Sequence, residues 1–351
     1  MKKTMSWTLA PLSGAVALAL FLGPHAAFAQ QEGAGGVEFD FYGSLRLQYE
    51  AADPKGEDSY DGFRDAYSRM GFNASYGINE DLNAFAQLEV PIDLANGKIQ
   101  DPFNTSDEDI RIGKVGLEGA FGTVAYGRDW LPYYNAIAFP VDMFYSFQSG
   151  FATYTTFRES NSVMYYSPDF NGFSFAASHS ANAGYADSSG SADDRIQLTG
   201  TYSMGDTTIS VGVDDVDGAN NTRIWGLSAM HTMGPLALAA KVEYIKSDQD
   251  IGAFGDDGDV AANIYAAYTM GQHTFHGTYA NVDNYGEDVY HLGYAFNWMD
   301  GLTLFAEYYY EEEATGAVPA VEARDTGSDP IPFPSGGGSN NVFMVGMHYS
   351  F

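Results

Sequence analysis

The chain has 351 residues, with 46 Asp+Glu against 16 Lys+Arg, a formal charge of -30 and no cysteine. Such an acidic surface repels phosphate, which excludes partners held through their phosphates, nucleic acid among them. The lack of Cys excludes a disulfide framework, a thiolate metal site, a thiol nucleophile and a lipid-modified N-terminal Cys.

The first predicted element is a leader. Lys2 and Lys3 precede an apolar stretch from Leu9 to Leu22, and Ala27-Phe28-Ala29 has the small-x-small form of a cleavage site. Residues 1–29 therefore read as a cleaved signal peptide and 30–351 as the mature chain. The apolar run is shorter than the ~18 residues that a spanning helix needs. Cleavage removes two lysines and no acid, which leaves 14 basic against 46 acidic residues, a charge of -32. No long apolar run follows Gln30, so a membrane protein made from this chain spans with strands closed into a barrel.

Period-two alternation supports strands from the start of the mature chain. Phe39, Phe41, Leu45, Leu47 and Tyr49 share one face of the first, and Asp40, Tyr42, Ser44, Arg46 and Gln48 share the other. In chain order the pattern predicts strands near 37–50, 65–77, 82–91, 108–118, 121–128, 162–168, 172–182, 194–204, 207–215, 222–233, 236–247, 260–270, 273–283, 288–298, 302–312 and 341–351. The fourth and tenth alternate least cleanly. Short turns such as Gly205-Asp206, Gly234-Pro235 and Gly271-Gln272 are interleaved with long acidic connectors such as 248–259 and 313–340. The expected fold is all-β, a sixteen-stranded antiparallel transmembrane barrel with short turns at one rim and long loops at the other. A soluble β-sandwich also alternates, but with far fewer strands in one domain.

Five sequence blocks carry a family likeness. They are Asp40-Phe41-Tyr42-Gly43, Ser68-Arg69-Met70-Gly71-Phe72, Arg111-Ile112-Gly113-Lys114-Val115-Gly116-Leu117, Phe121 to Arg128, and Asn161 to Pro168 followed by Phe170-Asn171-Gly172-Phe173. With them the mature chain resembles the trimeric general porins of the Gram-negative outer membrane. Phe343, Val345, Met347, Tyr349 and Phe351 alternate up to the last residue. That ending resembles the C-terminal signal read by the barrel-assembly machinery, with Tyr349 and Phe351 as its carriers.

The resemblance implies that the segment 129–157 is an inward-folded third loop that narrows the pore. It implies a basic wall from Arg69 and Arg111, to which polar parity adds Arg46 and Arg158. Asp142 is the one acid between Leu131 and Phe157. General porins carry several loop carboxylates there, so Glu89 on the third strand is expected to assist Asp142. The bland reading of each Arg is an ion pair that stiffens the wall. Lys114 and Arg128 fall on the outward parity, where a basic residue at the bilayer midplane costs roughly 2–4 kcal/mol. Both are therefore expected at the trimer contact, and Arg128 also matches a family position there.

The remaining acids, including Asp187, Asp193, Asp194, Asp214, Asp215, Asp217, Asp256, Asp257, Asp259, Glu311, Glu312 and Glu313, are expected in a mouth that concentrates cations. Such a mouth could also bridge to lipopolysaccharide through divalent ions. Asp215-Val216-Asp217-Gly218 lacks the spacing and closing Glu of a calcium loop, so no metal is assigned, and no cofactor either. His273 and His276 point to opposite faces of a strand and cannot share a ligand. No nucleophile elbow, phosphate loop or zinc-protease motif is present, so no enzyme is expected. The expected function is passive diffusion of ions and small hydrophilic solutes through a homotrimeric outer-membrane channel, with a preference for cations. A solute-specific channel and a barrel that displays adhesin or receptor loops are the alternatives.

Overall fold

Strands that alternate between apolar and polar side chains satisfy their backbone N–H and C=O groups only by pairing along both edges, and a closed ring leaves no edge unpaired. The computed structural model describes residues 36–56, 59–100, 110–181, 194–217, 221–248, 256–283, 286–313 and 338–351. The leader assigned to 1–29, Asp187 and Asp193 lie outside them. Along the described chain the strands are β1 (Val37–Ala52), β2 (Tyr60–Asp65), β3 (Arg69–Asn79), β4 (Leu82–Pro91), β5 (Ile112–Gly119), β6 (Gly122–Trp130), β7 (Arg158–Tyr166), β8 (Phe173–Ser180), β9 (Arg195–Met204), β10 (Thr207–Val216), β11 (Thr222–Met233), β12 (Leu236–Lys246), β13 (Val260–Met270), β14 (His273–Val282), β15 (Gly286–Met299), β16 (Leu302–Glu313) and β17 (Asn340–Ser350). Each pairs antiparallel with its neighbours, and β1 meets β17 from Ser44 opposite Ser350 to Ala52 opposite Val342, which closes the barrel.

The sixteen expected strands correspond to sixteen staves. The second, expected over 65–77, begins earlier, at Tyr60, and is broken into β2 and β3, both of which pair with β1. β2 covers Leu47 to Ala52 and β3 covers Val37 to Ser44. The break has a local cause. Tyr67 takes a left-handed φ of 69°, and the Asp65 carboxylate accepts the backbone N–H of Ser68 at 2.7 Å. Ser68 then patches the ladder, with its hydroxyl accepting from the Arg46 N–H at 2.7 Å. The sixth stave starts earlier than expected, at Arg158, and ends at Tyr166 just before Pro168, which has no N–H to donate.

Alternation sorts the side chains onto two faces. Phe41, Val115, Leu117, Trp225, Ile264, Leu292 and Phe343 are exposed and apolar, as a lipid-facing surface requires. Gln48, Glu50, Gln197, Asp214, Glu243, His291 and Glu307 are buried and polar. His273 is exposed and His276 buried, so period two separates them as expected. The two-residue turns at one rim carry Gly205, Gly234 and Gly271 at φ of 58°, 58° and 60°, a conformation that β-carbon sterics disfavour for other residues.

Candidate functional site

The connector Leu131–Phe157 joins β6 to β7 and carries little regular structure beyond one tight helical turn over Tyr134–Val141. Its backbone groups therefore need partners from elsewhere. They find them on the buried face, in side chains spread over much of the barrel. Gln197 of β9 accepts the Tyr133 N–H at 2.9 Å, Gln48 of β1 accepts the Phe147 N–H at 2.8 Å, and Asn263 of β13 accepts the Ala152 N–H at 2.9 Å. Three carboxylates do the rest. Glu307 of β16 accepts from Tyr145 N at 2.9 Å and Ser146 N at 3.1 Å. Glu243 of β12 accepts from the Thr153 hydroxyl at 2.7 Å and Tyr154 N at 3.0 Å. Asp214 of β10 accepts from the Thr155 hydroxyl at 2.7 Å.

Apolar contacts add to these bonds. Tyr133 and Ile137 pack with Ile224 and Ile245, and Val141 and Phe144 pack with Ala239, Tyr265 and Ala267. Phe144 stacks on His291 and His276, with ring centroids 3.6 and 4.5 Å away. Sealing these apolar side chains against the wall stabilises the segment by roughly 1.5–3 kcal/mol for each large side chain fully buried.

Facing the connector is a basic wall. Glu89 of β4 bridges two arginines, with Arg111 Nε at 3.0 Å from Oε1 and Arg69 Nε at 3.5 Å from Oε2. Tyr42 donates to the same carboxylate at 3.1 Å, and Gln87 donates to Tyr42 at 2.8 Å. Arg46 lies next to this group. Its Nε is buried without a hydrogen-bond partner among the described residues, and its charge acts on Asp142, Tyr145 and Glu307. Arg158, at the start of β7, lays its guanidinium 4.5 Å over the Trp130 ring. Asp142 accepts a 2.6 Å hydrogen bond from the Tyr134 hydroxyl. Burial pushes its carboxyl up to about 6, against the opposing pulls of Tyr134, Arg46 and His291.

The structure thus brings Arg46, Arg69, Arg111, Arg158, Asp142 and Glu89 into one neighbourhood, with one change of role. Glu89 sits among the arginines and neutralises part of their charge; it does not stand across from them beside Asp142.

Lys114 is a correction. Val115 and Leu117 are the exposed residues of β5, so Lys114 points to the buried face, where its Nζ lies 2.6 Å from Asp129 Oδ2. Arg111 and Ile112 are both buried, so the alternation restarts at Ile112 and a parity counted from Arg111 places Lys114 on the wrong face. Asp129, expected in the loop, lies in β6, so the connector begins at Leu131. Arg128 is different: an irregularity between Gly127 and Asp129 sets it toward exposed Ser160, with Nη1 3.2 Å from the hydroxyl.

Two expected mouth acids are also corrected. Asp214 and Glu311 are fully buried in the wall, the first bonded to Thr155 and 3.4 Å from Arg195, the second accepting from Tyr309 at 3.1 Å. Both lie on the inward parity of their strands, which their clustering with other acids concealed. Tyr349 and Phe351 are exposed with ring centroids 5.7 Å apart, and the Phe351 backbone exchanges hydrogen bonds with Gly43 at 3.0 and 3.1 Å. A Cβ at Gly43 would overlap the Phe351 ring.

The sequence matches the Gram-negative porin family over residues 14–316. The chain belongs to that family. Its place is the outer membrane, and its activity is that of a channel, not an enzyme. The outer membrane protein U of Vibrio parahaemolyticus is 25% identical over 266 residues, 71% of this chain and 72% of that protein. Among solved structures, the OmpF of Salmonella typhi in complex with daunomycin aligns with a TM-score of 0.68 at 17% identity, covering 90% of this chain and 98% of that one. An anion-selective porin from Comamonas acidovorans aligns with a TM-score of 0.66 at 19% identity, covering 90% of this chain and 100% of that one. These similarities fix the sixteen-stave closed barrel.

Sequence reasoning about this porin missed Arg64, Glu50 and Gln48. Arg64 Nε lies 2.7 Å from Glu50 Oε1, and its Cζ lies 4.3 Å from the centre of the Phe147 ring. Gln48 donates to Glu50 at 2.6 Å while accepting from Phe147. The signal was present for two of the three, since Gln48 and Glu50 continue the inward parity of Arg46. Arg64 was hidden because β2 read as connector.

Proposed function

We propose that this porin is a homotrimeric passive-diffusion channel whose narrowest part is formed by the 131–157 connector against Arg46, Arg69, Arg111 and Arg158, and that this narrowing prefers anions. One observation carries the reading: four guanidiniums meet three carboxylates, Glu89, Asp142 and Glu307, while Arg64 is matched by Glu50. The neighbourhood is net positive inside a protein of charge -30. The expectation of cation preference rested on mouth acids, and two of those, Asp214 and Glu311, are buried in the wall instead of facing solutes. Acids at the mouth raise local cation concentration, but a charge more than ~8 Å from the permeating ion is largely screened at physiological salt, so the charges at the narrowing dominate.

The rest of the assignment follows the resemblance. Residues 1–29 are removed on export, and Tyr349 and Phe351 present the last strand to the assembly machinery. Arg128 contacts the next subunit. Acids on the long connectors bridge through divalent ions to lipopolysaccharide.

The test is the reversal potential of purified protein in a planar bilayer under a KCl gradient. Conductance steps with an anion-selective potential, shifted toward cations in Arg46→Gln, are expected. A cation-selective wild type would overturn the charge assignment, and a silent bilayer would overturn the channel.

A further inference from the structure

The connector's aromatic residues are not all sealed against the wall. Phe139, Phe151 and Phe157 are half-buried, as is Trp130 at the adjoining end of β6, and together with Tyr134 they form a continuous array. Trp130 stacks on Tyr134 with centroids 4.5 Å apart and 25° between the planes. Phe157 lies 5.0 Å from Tyr134 and 5.7 Å from Phe151, and Phe139 lies 6.3 Å from Tyr134. A segment that needed only anchoring would turn such rings to the wall, as Tyr133, Phe144 and Phe147 do.

The array ends at the charged cluster. Arg158 covers Trp130, and the Tyr134 hydroxyl, bonded to Asp142, lies within electrostatic reach of Arg158 and Arg111. Arg46 adds a guanidinium whose Nε has no hydrogen-bond partner among the described residues. Flat apolar faces beside a net positive cluster are complementary to a solute with a planar apolar body and one anionic end, since rings prefer offset or edge contact with other rings and guanidiniums grip carboxylates.

We infer that the narrowing of this channel is a binding site for aromatic monocarboxylates, whose ring lies along the Trp130–Phe157 array while the carboxylate meets the guanidiniums. The inference rests on the proposed channel with its net positive narrowing, and it names the solute class that this narrowing takes.

The experiment records the open-channel current of the full-length protein in planar bilayers at fixed KCl while benzoate, cyclohexanecarboxylate or acetate is added. The three share one charge and differ in planarity and bulk. Benzoate should block saturably at a concentration at least tenfold below acetate, with cyclohexanecarboxylate weaker than benzoate. Trp130→Leu and Phe157→Leu keep apolar bulk but lose the flat face. Each should raise the half-blocking concentration of benzoate about threefold or more, with block referred to each variant's own current. The comparison among the three anions in the unaltered protein stands even if a variant fails to assemble. Equal block by benzoate and acetate, or by benzoate and cyclohexanecarboxylate, overturns the site. Anion selectivity without that discrimination overturns this inference alone, whereas cation selectivity overturns the reading beneath it.

Discussion

Glu307→Ala probes how the connector is held. Glu307 is buried and accepts the N–H groups of Tyr145 at 2.9 Å and Ser146 at 3.1 Å, with His291 Nε2 3.1 Å away. A hydrogen bond to a charged group contributes about 1.5–3 kcal/mol, so the two together hold this stretch by about 3–6 kcal/mol, and alanine leaves both donors buried without an acceptor. The Gln48 bond to Phe147 and the seating of Tyr154 and Thr155 remain, so the barrel stays closed and only the stretch near Tyr145 is freed. Even half of the lower figure, about 1.5 kcal/mol, raises the displaced population roughly tenfold. Single-channel recordings should therefore show greater open-channel noise and larger mean conductance in Glu307→Ala. Glu307→Gln, which keeps one acceptor oxygen, should fall between it and wild type. Unchanged noise and conductance in the alanine variant, in protein whose heat-modified gel mobility shows a folded barrel, would refute the assignment of Glu307 as a latch.

Three further outcomes are expected. Burial raises the Asp142 carboxyl to about 6, so it takes up a proton as pH falls through that value, and the anion preference should grow between pH 7.5 and 5; Arg46, His291 and Tyr134 are the groups that face it. Because that value lies above the ordinary one of 3.8, lowering the pH through this window favours the folded state as far as this group is concerned, and Asp142→Asn should flatten the selectivity profile. Glu89→Gln removes the charge shared by Arg69 and Arg111, and the reversal potential under a salt gradient should move further toward anions. Lys114→Met leaves the Asp129 carboxylate buried without its cation, a loss of about 3–5 kcal/mol that should lower the thermal midpoint of barrel unfolding; adding Asp129→Asn should recover much of it, and a midpoint equal to wild type would place Lys114 outside the wall.

The staves were legible because a barrel wall has one side in lipid and one side polar, which writes period two into every strand long enough to count. β12 and β13 match their expected spans to within a residue, and each alternates over most of its length. Legibility fails where that contrast fails. On β5, Gly113 and Gly116 carry no side chain to mark a face, so the parity of Lys114 had to be guessed. β2 spans only Tyr60–Asp65, too short for the pattern to stand out from a connector. The arginines were found by parity and by their place in the family blocks, whereas the partners that set their effective charge lay on other strands. Adjacency of Glu89 to Arg111 depends on the register of β4 against β5, which one sequence does not state.

The acid excess is a poor guide to selectivity for a physical reason. A connector without regular structure presents successive N–H groups, and a carboxylate is well suited to receive them, because its two oxygens accept from several directions and offer no competing donor. Glu307 takes two consecutive N–H groups in this way, and Glu243 takes a hydroxyl and an N–H from neighbouring residues while lying 3.0 Å from Lys241. An amide in the same place brings an NH2 group that must itself be satisfied, as Asn263 does by donating back to the Ala152 carbonyl at 3.0 Å. Inward acids therefore accumulate wherever the wall must hold the connector, and each adds to the net charge while its lone pairs are already engaged. On the proposed reading, the charge met by a solute is decided by the arginines left over on the opposite wall, so a chain of charge -30 can present a positive narrowing without contradiction.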